Sequence, residues 1–232
     1  MVRLTKKERV VLVHGGGKEI TRQMEAAGLE AKFVGGRRFT DDKTMEFVKD
    51  VLSRLNNDIV QELIRLGAKA KGFSGQERHL VEARPIRALG RVGQPSFVNE
   101  DVLQSILADV PLPVFYSIGE DVKNQSLNIN ADDFALALAI TAKARRLVYL
   151  TDTGAIRGND GESLTVLTPL DVDDLIEDGT ITGGMVVKAR ACVQALGEGV
   201  GRVDICKGIQ ALLSKTAEVE GTSFVHDETE QN

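Results

Sequence analysis

Apolar positions along the chain fall into two patterns, short runs with the length of buried strands and longer stretches with helical spacing. Strands are predicted over 9–13, 68–74, 79–85, 111–119, 145–152, 202–206 and 222–225. Helices are predicted over 18–28, 41–66, 98–109, 131–144, 168–179 and 183–199. Strands that alternate with helices are typical of a mostly parallel sheet covered by helices on both faces, so we expect an α/β fold.

Residues that begin and end helices support these boundaries. Thr40 or Asp41 is suited to cap the long second helix, and Asn99 to cap the third. Gly28 and Gly67 stand where the first two helices should end. Ligands of such α/β sheets bind beyond the carboxyl ends of the strands, so the loops that leave strands are the candidate sites.

Composition narrows the class of protein. The 232 residues suffice for one large domain or two lobes, and 42% of them are hydrophobic and 27% charged, as in a globular protein. The net charge of -5 argues against a nucleic-acid surface, and no apolar run reaches membrane-spanning length. Cys192 and Cys206 form no CxxC pair and are expected to be reduced. We therefore expect a cytoplasmic protein without a nucleic-acid or membrane partner.

Three glycines, 15 to 17, follow the first strand and open a helix. Without Cβ atoms, an anion can approach this backbone closely and meet the N–H groups of the helix. The turn is not a Walker A loop, because Lys18 is followed by Glu19, and not a dinucleotide fingerprint, because position 20 is Ile. The alternative is a tight turn without a ligand.

Further polar residues lie in loops that follow or precede predicted elements. Arg38 could grip a carboxylate bidentately or be a solvated surface residue. Asn128, Asn130 and Asp132 alternate with apolar residues, so they share one side, and Asn130 or Asp132 could equally cap the next helix. These residues can both cap the helix and contact a ligand, so the two roles do not exclude each other.

The C-terminal half contains two more such loops. Asp152 ends an apolar strand, where α/β proteins often place a nucleotide-contacting carboxylate, although a turn aspartate is the simpler alternative. Lys188 lies one turn into a helix opened by Gly183 and Gly184, which suits a transferring phosphoryl group, although most lysines face solvent. Five such loops in one α/β chain favour a ligand site.

Ordered motifs then suggest a family. "VLVHGGG", "GRRFT", "LNNDIV", "NINAD", "LTD", "LIEDGTITGGMVVKA" and "GVGRVDI" follow one another between residue 9 and about residue 225. In this order they resemble the amino-acid kinase superfamily and, within it, the acetylglutamate kinases. "NINAD" and "DGTITGGMVVK" are the most specific of these motifs.

The resemblance implies a three-layer αβα sandwich with a mostly parallel central sheet. It implies an N-terminal lobe, 1–143, that binds N-acetyl-L-glutamate, and a C-terminal lobe, 144–232, that binds ATP. The implied reaction moves the γ-phosphoryl group of ATP to the γ-carboxylate of acetylglutamate in arginine biosynthesis. Mg²⁺ would be carried by the nucleotide and not by a protein metal site, and the protein would be a homo-oligomer.

The resemblance also assigns residues by their position in the motifs. Gly16 and Gly17 match glycines that contact the amino-acid substrate. Arg38 matches the arginine that grips its α-carboxylate, and Asn128 the asparagine that orients it. Phosphoryl transfer to a carboxylate that is already ionised needs cations and N–H groups but no general base, which agrees with this set of residues.

The catalytic and nucleotide-binding residues follow from the later motifs. Asp132 matches the aspartate that organises the catalytic lysines, and Lys188 the lysine that stabilises charge on the transferring phosphoryl group. The implied nucleotide-binding residues are Thr151, Asp152, Gly154, Gly184, Met185 and Lys188.

Three features depart from the family pattern. A strand with a K-x-G-G lysine normally precedes the HGGG turn, but only 13 residues precede His14 here, so we expect the first strand and helix to be missing. We favour a misplaced start or a truncation; the alternatives are a weakened kinase or a protein that binds ligands without catalysis, such as a sensor. A separate alternative for the function is a sibling acyl-phosphate kinase that acts on another amino acid or on an aminoadipate-type substrate. The segment "LTDTGAIRG" lacks the usual Pro-Gly or Ser-Gly, and Arg37 replaces a commonly apolar residue.

Overall fold

The chain is described from a computed structural model, which covers residues 4–5, 7–152, 154–208 and 221–227. It divides into two compact units, unit 1 up to Leu138 and unit 2 from Ala139 onward. The division falls inside the helix that spans Ala131–Thr141. Each unit contains its own sheet and its own share of the predicted site residues.

Unit 1 contains a parallel three-stranded sheet in the order β1 (Leu12–His14), β7 (Leu112–Tyr116) and β4 (Ala70–Ser74). Its helices are α1 (Gly17–Ala26), α2 (Asp42–Arg65), α3 (Glu100–Asp109) and α4 (Ala131–Thr141). Apolar side chains of α2 recur at helical spacing and pack against α1 in a buried cluster. This packing holds the start of α1 beside the end of β1.

Two further strand groups complete unit 1. A closed barrel forms from β5 (Val81–Pro85), β6 (Val92–Val98), β8 (Ile118–Glu120) and β9 (Ser126–Ile129). A short antiparallel hairpin joins β2 (Phe33–Val34) to β3 (Arg37–Arg38) through Gly35 and Gly36.

Unit 2 contains a four-stranded sheet in the order β10, β12, β13 and β11. Its strands are β10 (Leu147–Leu150), β11 (Val166–Leu167), β12 (Val203–Cys206) and β13 (Gly221–Phe224), and its helices are α5 (Pro169–Glu177) and α6 (Gly184–Gly197). β10 runs parallel to β12, whereas β12 and β13 are antiparallel. The strand predicted at 222–225 therefore lies inside the sheet, between β12 and β11.

The predicted α/β class and all six predicted helices are confirmed. Asp41, not Thr40, caps α2 by accepting a hydrogen bond from the Thr44 backbone N–H at 2.7 Å. The expectation of one strand over 111–119 is wrong, because the chain changes partners at Ser117 and passes from the parallel sheet into the barrel. A continuous apolar run does not reveal that its two halves pair with different strands.

A buried ionic cluster crosses the sheet of unit 2. Asp204 on β12 is fully buried and pairs with Arg146, and the Arg202 Nε donates to it at 2.8 Å. Ser223 on β13 donates to the same carboxylate at 2.7 Å and accepts from Arg202 at 2.6 Å. The carboxylate thus bridges two guanidinium groups and offsets part of their charge.

We expect Asp204→Ala to destabilise unit 2 strongly. The substitution leaves two cations around a buried gap, and breaking a buried pair in this way costs about 3 kcal/mol or more. The melting temperature should fall by roughly 6–12 °C. Asp173→Ala, at an exposed position of α5, is the control and should shift the melting temperature by less than about 2 °C. Equal shifts for the two variants would contradict a stabilising role for the cluster.

Candidate active site

The glycine turn after β1 leaves the start of α1 open. Gly16 is the N-cap residue of α1 and provides no side-chain hydrogen bond. A Cβ atom at Gly16 would lie 2.7 Å from the Leu52 side chain, so the turn sits tightly on α2. A Cβ atom at Gly17 would meet nothing within 4 Å. An anion therefore has access to the N–H groups of the first turn.

Of the six α-helices described, only two begin in this way. The other four begin with a side chain that accepts a backbone hydrogen bond of the first turn: Asp41, Asn99, Asn130 and Thr168. Helices α1 and α6 begin after Gly16 and Gly183, neither of which has a side-chain cap. A helix N-terminus without its own cap favours an anion from outside. These are the two glycine turns predicted to bind ligands.

Arg38 on β3 lies directly against the glycine turn. Its Nη2 atom donates to the Gly17 carbonyl at 3.0 Å and to the Thr21 hydroxyl at 2.8 Å. The guanidinium carbon also lies 4.7 Å from the centre of the Phe33 ring, within cation–π range. The structure therefore brings the two predicted residues Arg38 and Gly17 into direct contact.

The charge of Arg38 is buried without a carboxylate. Only 6% of the residue is exposed, and no Asp or Glu of the described residues forms an ion pair with it. Burial lowers the pKa of its guanidinium, which nevertheless stays charged near neutral pH. Because an unpaired buried charge is costly, this position is suited to an anion from solution.

Asn128 joins this group through Thr40. The Asn128 Nδ2 atom donates to the Thr40 hydroxyl at 3.2 Å, and that hydroxyl donates to the Arg38 carbonyl at 3.0 Å. Thr40 is fully buried and Asn128 half-buried on β9. The predicted residue Asn128 is therefore linked to the strand that carries Arg38.

Asp132 lies in the first turn of α4 and is exposed. The Asn130 side chain accepts a hydrogen bond from the Asp132 backbone N–H at 2.8 Å, which confirms the predicted Asn130 cap. A Cβ atom at Gly15 would lie 3.2 Å from Ala131, so the glycine turn also abuts the start of α4. Unit 1 thus brings together the five predicted residues Gly16, Gly17, Arg38, Asn128 and Asp132.

Sequence reasoning missed how the turn is held. The His14 Nε2 atom lies 3.0 Å from Asn56 Nδ2, and His14 Nδ1 lies 2.9 Å from the Gly15 carbonyl. Since the amide nitrogen can only donate, His14 Nε2 accepts its hydrogen bond, and the protonated Nδ1 donates to the Gly15 carbonyl. A Cβ atom at Gly72 would lie 1.9 Å from Asn56 Oδ1, so only glycine leaves room for this amide. The available sequence signal for this contact was that His14 lies in the motif "VLVHGGG" and Asn56 in the motif "LNNDIV".

Acid should weaken this arrangement. Burial lowers the pKa of His14 below 6.5, so the folded chain favours the neutral ring, and its contribution to stability is lost as the pH falls below 6.5. We expect acidification from pH 7.5 to 5.5 to lower the melting temperature of the unchanged chain by roughly 2–4 °C more than that of His14→Gln. His226→Gln should behave like the unchanged chain. Identical pH profiles for all three would exclude a contribution from His14.

A carboxylate also lies at the start of α1. Hydrogen bonds from Arg22 and Gln23 lower the pKa of Glu19 to about 2, so Glu19 is ionised at any physiological pH. Arg22 Nε lies 2.9 Å from Glu19 Oε2, so a cation offsets this negative charge. The helix N-terminus therefore retains its attraction for an external anion.

The predicted nucleotide residues lie in unit 2. Lys188 projects from α6 toward β10, with its Nζ atom 5.4 Å from the centre of the Tyr149 ring. Lys188 lies four residues after Gly184, about one turn from the open start of α6. A Cβ atom at Gly184 would meet nothing within 4 Å.

The loop after β10 contributes the remaining predicted residues. Thr151 accepts a hydrogen bond from the Gly154 backbone N–H at 2.9 Å, and Gly154 has a positive φ of 83° that favours glycine. Asp152 is exposed beside them, and Met185 is half-buried in the first turn of α6. Lys188 and Thr151 thus both lie at the end of β10.

The structure is that of an α/β protein in which α1 and α6 begin without side-chain caps, and each of these two helices has a cationic side chain nearby, Arg38 and Lys188. The sequence pattern of the Amino acid kinase family matches residues 1–207. The chain belongs to this family, and the predicted resemblance is confirmed.

Named relatives make the comparison more specific. The chain is 36% identical over 210 residues to an acetylglutamate kinase of Endomicrobium trichonymphae, covering 90% of this chain and 84% of the relative. It is 41% identical over 215 residues to an acetylglutamate kinase of Methanocorpusculum labreanum, covering 86% and 73%.

Solved structures support the fold. The protein smu.665 of Streptococcus mutans superposes with a TM-score of 0.83 at 28% identity, covering 97% of this chain and 90% of that one. Carbamate kinase of Giardia lamblia superposes with a TM-score of 0.66 at 17% identity, covering 97% and 86%. The second likeness concerns the fold alone.

None of the described helices is both long and apolar enough to cross a membrane.

Proposed function

We propose that this chain transfers the γ-phosphoryl group of ATP to the γ-carboxylate of N-acetyl-L-glutamate, the acyl-phosphate-forming step of arginine biosynthesis. Relatives of 36–41% identity are named acetylglutamate kinases. The structural observation that carries the proposal is the buried, carboxylate-free Arg38 guanidinium against Gly17.

Unit 1 is proposed to bind acetylglutamate. Arg38 would pair with the α-carboxylate, and Asn128, held by Thr40, would orient the substrate. The first-turn N–H groups at Gly16 and Gly17 would receive the carboxylate that becomes phosphorylated. Asp132 would organise the neighbouring cations. The proposed lobes are 1–143 for the amino acid and 144–232 for ATP.

Unit 2 is proposed to bind ATP. The open turn at Gly184 and Met185 would accept phosphate oxygens, and Lys188 would stabilise charge on the transferring group. Thr151, Asp152 and Gly154 would contact the nucleotide at the end of β10. The described residues contain no cluster of three or more His, Cys, Asp or Glu side chains placed to hold a metal ion. We propose that Mg²⁺ arrives on ATP, where it neutralises phosphate charge.

The chemistry requires little more from the protein. A γ-carboxylate is ionised near pH 7 and attacks phosphorus without a general base. The protein contributes alignment and fixed positive charge, which suits a set of glycines, Arg38 and Lys188. We also propose that the protein works in the cytoplasm as a homo-oligomer.

The direct test is an assay with Mg²⁺-ATP and N-acetyl-L-glutamate that measures ADP and traps the acyl phosphate with hydroxylamine. We expect ADP and hydroxamate in equal amounts. N-acetyl-L-glutamine lacks the acceptor carboxylate and should give neither. Turnover of 2-aminoadipate derivatives in place of acetylglutamate would favour a sibling kinase. Binding of both ligands without ADP above background would contradict the enzymatic proposal.

A further inference from the structure

Arg37 and Arg38 occupy successive positions of β3 and reach different helices. Side chains of neighbouring strand residues point to opposite faces, so the two guanidinium groups diverge. Arg38 contacts the start of α1 at Gly17 and Thr21. Arg37 Nη2 lies 2.7 Å from Asp133 Oδ2 in the first turn of α4. The β2–β3 hairpin therefore contacts the first turns of both α1 and α4 through its two arginines.

The Arg37–Asp133 ion pair is more shielded than three ion pairs within the helices α1 and α2 of unit 1. The exposed fractions of its side chains are 25% and 26%, whereas the helical pairs Glu19–Arg22, Asp50–Arg54 and Glu62–Arg65 each have a side chain at least 62% exposed. Exposed pairs contribute little, because water and salt screen them. A pair that is shielded on both sides holds its elements more firmly.

The hairpin has few other attachments. Its two strands pair through only two residue pairs, Phe33 with Arg38 and Val34 with Arg37. Phe33 and Val34 are 53% and 56% exposed, so little apolar burial holds them. A hairpin this short is not stable by itself. Its position therefore depends strongly on the two arginine contacts and on the following Thr40 segment.

We propose that the Arg37–Asp133 ion pair is a positioning device for Arg38, holding the hairpin so that Arg38 stays aimed at the glycine turn. The proposal rests on the proposed function, in which Arg38 binds the substrate carboxylate. Arg37 itself is a positioning residue and touches no reacting atom.

The surroundings of the two partners predict an asymmetry between them. Arg37 Nη1 and Asp133 Oδ2 are both buried, and neither has a hydrogen-bond partner among the described residues, so removal of either side chain leaves the other charge shielded and unpaired. The carboxylate that remains after removal of Arg37 lies in the first turn of α4, where a helix N-terminus stabilises negative charge, whereas the cation that remains after removal of Asp133 has no such compensation. Asp133→Asn should therefore disturb the hairpin more than Arg37→Met, and the double variant should be milder than Asp133→Asn.

The test is a double-mutant cycle read by steady-state kinetics and by hydrogen exchange of the hairpin amides. We expect Asp133→Asn to raise KM for acetylglutamate about tenfold and Arg37→Met about threefold, with kcat and the KM for ATP within twofold. Amide exchange across 33–39 should accelerate in the same order. Arg65→Met breaks an exposed pair with Glu62 and should change neither readout.

The outcomes separate this proposal from the proposed function. If the unchanged chain makes no acetylglutamate-dependent ADP, the proposed function fails, and the hairpin exchange still tests the positioning role. Additive effects in the cycle, unchanged exchange, or a loss confined to kcat would overturn the role of Arg37. A KM effect without faster hairpin exchange would overturn it as well.

Discussion

Arg38→Met is expected to lower kcat/KM for acetylglutamate by about 10- to 100-fold, mainly through a higher KM, because a charge-assisted carboxylate contact is lost. Methionine keeps much of the apolar length of the arginine stem, so packing against Met24 and Phe33 is largely retained. The KM for ATP should change by less than twofold. Initial rates at varied concentrations of each substrate separate the two effects.

Two further variants sharpen this result. Arg38→Lys keeps the charge but not the planar fork of donors, so it should recover only part of the affinity. Arg54→Met removes an exposed guanidinium of α2 and should leave both KM values unchanged. If Arg38→Met lost affinity for ATP instead, or if all arginine substitutions had equal effects, Arg38 would not be the carboxylate-binding group.

The local part of this site was predictable from sequence. Gly16, Gly17 and Lys188 follow a strand or open a helix within a few residues, so chain order alone places them at helix starts. The caps at Asp41 and Asn99 followed from residue type. In each case the relevant interaction lies within one turn, where sequence spacing determines distance.

Long-range pairings were not predictable in the same way. The hairpin that carries Arg38 has two residues in each strand, too few for an alternating pattern to appear. The strands β6 and β9 are mixed in polarity because they form a barrel rather than a layer between helices. The His14–Asn56 contact joins residues 42 positions apart, and although both lie in motifs, neither motif indicates which residue of the other it contacts.

The buried carboxylate of Asp204 in unit 2 is a second example of a pairing that the sequence does not predict. Asp204 forms ion pairs with both Arg146 and Arg202 and is fully buried. The residues around it in the strand "RVDIC" do not indicate that this carboxylate is buried. Charge compensation depends on which side chains the sheet brings into register. Here Ser223 lies opposite Asp204 on the antiparallel neighbour, and this register exists only after the sheet has formed.

Lys188→Ala is expected to lower kcat by about 100- to 1,000-fold while KM for ATP rises only a few-fold. The amine lies over the Tyr149 ring and belongs to a helix that begins without a side-chain cap. Its charge stabilises the transition state most, because negative charge moves during phosphoryl transfer. In the ground state it stabilises the phosphates less, because the helix N-terminus and Mg²⁺ already attract them. A loss in kcat at nearly constant KM is the signature of such an interaction.

Arg190→Ala provides the matched control, because Arg190 is an exposed cation two residues further along the same helix. It should keep kcat within about twofold, since exposed surface substitutions rarely disturb a distant step. Lys188→Arg keeps a positive charge at a different distance, so partial recovery of kcat would indicate that charge rather than packing on Tyr149 matters. A parallel rise in KM for ATP with unchanged kcat would instead place Lys188 in ground-state nucleotide binding, and its assignment to the transferring group would be wrong.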